Sequence, residues 1–92
     1  MLIVRTPSQL GAVLRTTRTA LNLPAADIAA MTNTTTVSLR RLEDGNATSA
    51  VRRLFALLDE LGIEMHLALP PEVGAIELPG RASKPKRTRV RP

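Results

Sequence analysis

The side chains of this chain that could recognise another molecule are concentrated between positions 34 and 45. Three threonines and one serine share this segment with two adjacent arginines and with the apolar residues Leu39 and Leu42. Hydroxyl groups can hydrogen-bond to most nucleobases, and a guanidinium group can bind guanine through two hydrogen bonds. The segment therefore has suitable groups for recognising base pairs, provided that one element holds them on an exposed face.

Helical spacing and capping residues predict two short helices around this segment. The first carries Ile28 on its buried side and ends at the polar turn 32–34, where Asn33 tolerates a left-handed backbone. The second is predicted from about Thr36 to Asp44, between the N-cap Thr35 and a terminating glycine. Two short helices joined by a tight turn are typical of a helix-turn-helix, whose second helix enters the major groove of DNA.

Two longer helices flank this pair. The first is predicted over residues 7–21, because Thr6 and Gln9 form a capping box around a proline at the first helical position. The last is predicted to begin after Thr48 or Ser49. Its core face is expected to consist of the apolar residues Val51, Leu54, Phe55, Leu58 and Leu61.

Residues 63–69 change to a period of two, which predicts a strand with Glu64, His66 and Ala68 on its polar side. A lone strand leaves its backbone groups unpaired. It can pair with residues 1–5 of the same chain, or with the same strand of a second copy about a two-fold axis. We expect the second arrangement, in which residues 1–5 could join the same sheet. The dimer interface would then contain Ile63, Met65, Leu67 and Leu69.

The distribution of charge separates a nearly neutral body from a basic end. Residues 81–92 contain six basic residues and no acid, whereas residues 1–80 contain seven arginines and eight acids. We expect a domain over residues 1–69 and a flexible basic tail over residues 70–92. The tail could contact phosphates, dock on an acidic protein surface or only improve solubility. In the body, phosphate binding would need local clusters among Arg15, Arg18, Arg40, Arg41, Arg52 and Arg53.

Composition argues against several kinds of site. With no cysteine and one histidine, the chain offers no thiolate or histidine cluster for a metal, and we expect no cofactor. The single aromatic residue, Phe55, gives no stacking surface for single-stranded nucleic acid. No apolar run approaches the ~20 residues that span a bilayer. No group accompanies Asp59 and Glu60 that would make them an acid–base couple. We therefore expect a cytoplasmic protein with no membrane contact, small-molecule substrate or enzyme activity.

Several residues between Pro7 and Leu61 match a known family pattern. They are Arg18, Leu21, Leu23, Ile28-Ala29, Asn33, Leu39 and Leu42-Glu43-Asp44-Gly45. In these residues the chain resembles the Xre/Cro, or lambda-repressor-like, helix-turn-helix family. The segment Pro7-Ser8-Gln9-Leu10-Gly11, and a fourth helix that runs into a strand, are similar to HipB-type antitoxins of HipA-like kinase toxins.

The resemblance implies a fold and a set of contact residues. The fold would be an all-α bundle of four to five helices, followed by a short C-terminal strand that pairs across a homodimer. Arg18 and Glu43 would form an ion pair between helix one and the end of helix three, from which Arg18 could also reach a phosphate. The residues expected to contact DNA are Thr34, Thr36, Val37, Ser38, Arg40 and Arg41.

The function that the resemblance implies is sequence-specific repression. The protein would bind a palindromic operator in double-stranded DNA as a homodimer, regulate its own operon and restrain a HipA-like kinase toxin. A repressor without a toxin partner, and a protein-interaction module that does not bind DNA, are alternatives. The chain departs from the family at Pro24 and Ala25, where polar side chains usually bind phosphate. Thr32 replaces a larger aliphatic residue, and we expect Met31 to fill the space.

Overall fold

The computed structural model describes residues 2–74, which form four helices and a two-stranded antiparallel sheet. The strands are β1 (Leu2–Val4) and β2 (Met65–Leu67), and the helices are α1 (Pro7–Ala20), α2 (Ala25–Met31), α3 (Thr36–Glu43) and α4 (Ser49–Leu61). The chain is thus mostly helical, as predicted, with helix bounds close to the predicted ones. Of the tail predicted over residues 70–92, residues 75–92 lie outside the described part. No helix in residues 2–74 has both the length and the apolar character needed to cross a membrane.

Three of the four helices begin at a threonine whose hydroxyl accepts a hydrogen bond from a backbone N–H of the first turn. Thr6 Oγ1 lies 3.1 Å from the backbone nitrogen of Gln9, and Thr48 Oγ1 lies 3.3 Å from that of Val51. Thr48 rather than Ser49 is therefore the cap of α4. The Gln9 side chain accepts from the N–H of Arg5, one residue before the cap, at 2.6 Å. In a standard capping box the Gln9 side chain would accept from the N–H of the cap residue Thr6, so this hydrogen bond is shifted by one residue along the chain.

All four helices end at a residue with a left-handed backbone. These residues are Asn22, Asn33, Gly45 and Gly62, with φ values of 57°, 59°, 87° and 69°. Between α2 and α3 the N–H of Thr34 donates to the Ala29 carbonyl at 2.8 Å, which reverses the chain within a few residues. Asn33 therefore has the role that was predicted for it, because asparagine adopts this conformation at lower cost than other side chains with a Cβ.

The buried apolar residues form two separate clusters. Val4, Val13 and Phe55 form the first, with partly buried residues of α1, α4 and the sheet packed around them. The second lies between α2 and α3 and is smaller, since α2 contributes mainly alanines. It consists of Ala25, Ala29 and Leu39, with Ile28 beside them. The second cluster positions α3, and the first holds α4 and the sheet on α1.

The strand β2 pairs with β1 of the same chain, in the register Leu2 with Leu67 and Val4 with Met65. This is one of the two pairings that the sequence allows for the strand. The other, with the same strand of a second copy, is the one that we expected. The strand is also shorter than the predicted 63–69. Ile63 lies just beyond α4 and closes its C-terminal cap, because its N–H donates to the Leu58 carbonyl at 2.8 Å.

The predicted dimer residues are used largely within the chain. Met65, Leu67 and Leu69 pack against the cluster of Val4, Val13 and Phe55, while Ile63 is 52 % exposed. These three side chains contribute to the core of their own chain. Their role in a dimer interface stays a prediction.

Two predictions about packing were wrong. Leu54 and Leu61 of α4 are 47 % and 69 % exposed instead of lying in the core. Within residues 2–74, the elements that pack on α4 cover only Val51, Phe55 and Leu58, so the rest of the apolar arc faces outward. Met31 is 76 % exposed and fills no space beneath the turn.

Candidate nucleic-acid interface

The helix α3 has one buried side and one open side. Leu39 and Glu43 are buried, and they lie four residues apart on the side that faces α1 and α2. Val37 and Arg41, also four residues apart, occupy the middle of the opposite side, and Val37 is 62 % exposed. A helix of 3.6 residues per turn separates the two pairs in this way. We call Val37, Ser38, Arg40 and Arg41 the outer face of α3.

The six residues predicted to contact DNA fall into two groups in the structure. Five are exposed, namely Thr34 in the turn and the four residues of the outer face. Thr36 is only half-buried and lies next to the buried side of the helix. The structure thus brings hydroxyl, methyl and guanidinium groups onto one surface about two turns long.

The hydroxyl of Ser38 is held in place by the N-cap of the same helix. Thr35 Oγ1 accepts from the N–H of Ser38 at 3.1 Å and donates to Ser38 Oγ at 3.0 Å. The Ser38 oxygen keeps a hydrogen to donate while it accepts this bond. It can therefore donate to a base or a phosphate from a fixed position.

The two arginines of the outer face are exposed. In the described residues, neither Arg40 nor Arg41 forms an ion pair. Both lie in the last turn of α3, where the helix dipole favours positive charge. Their charge is therefore open to an anionic partner.

The buried carboxylate of Glu43 anchors α3 to α1. Arg18 binds it through both oxygens, with Nε 2.7 Å from Oε2 and a terminal nitrogen 3.0 Å from Oε1. Arg15 Nε lies 3.3 Å from Oε1. The Glu43 side chain is 1 % exposed, so these bonds replace the water that it loses on folding. The ion pair implied by the family resemblance is present, and it has a third member in Arg15.

The same arginines neutralise an unfavourable pair of acids. Glu43 and Asp44 lie at the C-terminal end of α3, where negative charge is disfavoured by the helix dipole. Arg15 bonds to Asp44 at 2.5 Å in addition to Glu43. The bidentate bond from Arg18 holds the pKa of Glu43 below its ordinary value, although burial acts in the opposite direction. The two acids next to the outer face are therefore paired and oppose an approaching phosphate only weakly.

Arg18 acts mainly within the fold. Its remaining terminal nitrogen donates to the Leu23 carbonyl at 3.1 Å, and its side chain is 19 % exposed. The hydrogen bond to Glu43 raises the pKa of Arg18 further above the physiological range, where a guanidinium is charged in any case. Arg18 thus links α1, the loop before α2 and the end of α3.

Gly11 allows α1 and α3 to approach closely. A Cβ at position 11 would lie 2.6 Å from the Glu43 carbonyl oxygen and closer still to that of Leu42. Only a residue without a side chain fits here, because both neighbours are backbone atoms that cannot rotate away. The close approach brings the end of α3 within reach of Arg15 and Arg18.

The residues around this surface offer few free polar side chains. Pro24 caps α2 without a side-chain hydrogen bond, and Ala25 is buried. Arg52 donates to the Ala47 carbonyl and is thus turned toward the loop before α4. Arg53 is exposed and has no ion pair within residues 2–74.

Sequence reasoning grouped Arg15 with the possible phosphate-binding arginines and missed its partners. The signal was present, because Arg15 and Arg18 are three residues apart on one side of a helix and can reach the same carboxylate.

Comparisons of the chain with protein-family models, with curated proteins and with solved structures gave no match.

Proposed function

We propose that this protein is a sequence-specific DNA-binding repressor whose helix α3 enters the major groove of double-stranded DNA. In this proposal α2, the turn at Asn33 and α3 act as a helix-turn-helix. The observation that supports it is the outer face of α3, where one short helix exposes Val37, a fixed serine hydroxyl and two arginines that form no ion pair within residues 2–74. A helix of this width fits the major groove, where these groups meet base edges.

Each group of the outer face has a matching partner on DNA. Arg41 is suited to bind guanine O6 and N7 through two hydrogen bonds, and Val37 to contact a thymine methyl. Arg40 and Ser38 flank them and are suited to phosphate or base contacts. The paired acids at the end of α3 leave this surface with a net positive charge, which favours association with the phosphate backbone.

The proposed repressor is a homodimer on a palindromic operator. Two copies would place their α3 helices in successive major grooves, ~34 Å apart along the DNA. In the HipB-like version of the proposal, the protein also binds a HipA-like kinase and represses the operon that encodes both. This kinase part rests on the resemblance alone.

A gel-shift experiment tests the proposal. The full chain is titrated onto DNA from just upstream of its own gene and onto unrelated DNA of equal length, at a fixed salt concentration. We expect binding to the upstream DNA that is at least ~10³-fold tighter than to the unrelated DNA. Equal affinity for both would contradict sequence-specific binding. Repeating the titration with the product of the neighbouring gene tests the kinase part, since a toxin partner should supershift the complex.

A further inference from the structure

Exposed leucines of α4 form an apolar feature on the surface of the described chain. Leu54, Leu57 and Leu61 are 47 %, 52 % and 69 % exposed, at positions i, i+3 and i+7 of one helix. This spacing places them on one side, next to the side that packs on the core. We call these three residues the leucine stripe. Exposed Ile63 follows directly after the helix and extends the apolar surface.

The charges beside the leucine stripe are arranged symmetrically about its centre. Arg53 and Glu60 are seven residues apart, so they lie on the same edge of the stripe, one on each side of Leu57 along the axis. Both are exposed, and within residues 2–74 neither forms an ion pair. The edge is thus positive near the start of the helix and negative near its end.

We infer that the leucine stripe is the surface through which two copies of this chain dimerise, with their α4 helices packed antiparallel about a two-fold axis at Leu57. In this arrangement Leu54 meets the partner's Leu61, and Arg53 lies beside the partner's Glu60. The two-fold axis repeats both contacts, giving two apolar pairs and two ion pairs. In a parallel arrangement the two charged edges would lie on opposite sides of the seam, so Arg53 would not meet the partner's Glu60. The pattern is therefore complementary to itself.

This surface is compatible with the rest of the fold. The helix α4 packs on α1 and on the sheet, whereas α3 packs on α1 and α2. Pairing through α4 thus leaves the outer face of α3 open in both copies. It also leaves the β1–β2 pairing intact, so no strand has to be exchanged between chains. The leucine stripe is thus the interface of the homodimer proposed above. Only the biological purpose of that dimer rests on the proposed function.

The oligomeric state of the full chain tests the inference without DNA. Sedimentation equilibrium over a range of concentrations should show a species of twice the 9.9 kDa chain mass. A Leu57→Glu change should raise the dimer dissociation constant by roughly 100-fold or more, since it places two carboxylates at the centre of an apolar contact. Ala26→Glu is the matched control, because Ala26 is likewise exposed on a helix but belongs to α2, outside both the stripe and its charged edge. It should leave the dimer unchanged.

A charge exchange tests the antiparallel register and remains decisive if Leu57→Glu fails to fold. Arg53→Glu and Glu60→Arg should each weaken the homodimer roughly tenfold, and the double variant should restore it. An equimolar mixture of the two single variants should form heterodimers, since attractive pairs are then re-formed between the two chains.

Three results would overturn the inference. The full chain could stay monomeric at all concentrations, as it would if its own residues 75–92 covered the stripe. Leu57→Glu could leave the dimer intact, which would place the interface elsewhere, such as the outer edge of β2. The single charge variants could fail to associate with each other, which would exclude the antiparallel register. None of these results bears on base contact by the outer face of α3, which is tested through Arg41.

Discussion

Along α3, exposed side chains alternate with side chains that are buried and support the fold. Arg40 and Arg41 point away from the fold, while the neighbouring Glu43 is buried and bound by two arginines of α1. The supporting contacts fix the helix that carries the side chains proposed to recognise DNA. Substitutions of the two kinds should therefore affect different measurements, namely DNA affinity and stability.

Replacing Arg41 tests recognition at the residue scale. Arg41→Ala should cost about 1–3 kcal/mol on the cognate site and relax the base preference at one position. The measurement is a gel-shift or fluorescence anisotropy titration against a set of single-base operator variants. Arg41→Lys is the control, because lysine keeps the charge and loses the two-bond geometry for guanine. If Arg41→Ala weakened binding to all sequences equally, Arg41 would be a phosphate contact instead.

Replacing Glu43 tests the buried ion pair. Glu43→Gln should lower the free energy of unfolding by about 1.5–3 kcal/mol at pH 7, the range for hydrogen bonds to charged groups. Urea unfolding of the two proteins measures it. Asp59→Asn, at an exposed site without an ion pair in the described residues, should change stability very little.

The same pair predicts a pH dependence. The pKa of Glu43 is lowered in the folded state by Arg18 and Arg15, so the unfolded chain binds a proton first as the pH falls. The stability that Glu43 contributes is therefore complete above its unfolded pKa of about 4.5 and is lost as the pH falls through the lower folded value. The difference in unfolding free energy between wild type and Glu43→Gln should shrink over this range. A constant difference throughout the acid range would show that the carboxylate charge is not what stabilises the contact.

At the scale of elements, the position of α3 depends on how closely it approaches α1. Gly11→Ala should destabilise the protein by about 1–3 kcal/mol, because the added methyl group would meet two backbone carbonyls. For a domain of this size that corresponds to a fall of roughly 4–8 °C in Tm per kcal/mol. Thermal unfolding followed by circular dichroism measures it. Ala12→Gly, one position along the same helix, measures the difference in helix propensity between alanine and glycine. Comparing the two variants separates this effect from that of the clash. An unchanged Tm for Gly11→Ala would mean that α1 and α3 can move apart freely.

The start and end of each helix follow from residues within one turn of the boundary. Threonine hydroxyls cap α1, α3 and α4, and asparagine or glycine ends all four helices. The elements were therefore predictable to within a few residues. Of the four described helices, only α2 lacks a side-chain cap, and its stability comes from packing Ala25 and Ala29 against Leu39.

At the scale of the whole molecule, the basic residues 81–92 should contribute to DNA affinity through phosphates. Deleting residues 81–92 should flatten the dependence of log K on log salt by about 0.9 for each phosphate that the tail neutralises in the wild-type complex. Titrations at several salt concentrations give this slope. A variant with the six basic residues replaced by glutamine keeps the length of the chain and should behave like the deletion. An unchanged slope in both would mean that these residues do not contact DNA in the complex.

By itself the sequence determined what depends on neighbours along the chain. The helix boundaries, the left-handed Asn33 and the outward position of Arg40 and Arg41 all follow from caps and helical periodicity, which act over a few residues. The candidate surface could thus be located before the fold was known, while its use in DNA binding stays a prediction.

Only the tertiary structure decided what depends on residues that are far apart in the sequence. The strand β2 could pair with β1 or with a second copy, and the alternation of its residues is the same in both cases. The apolar arc of α4 is wider than its neighbours can cover, so packing alone determined that Phe55 is buried whereas Leu54 and Leu61 are not. Arg15 likewise became a structural residue because the close approach at Gly11 places Glu43 and Asp44 beside it. Periodicity shows which residues could be buried, and the arrangement of the other elements in space selects those that are.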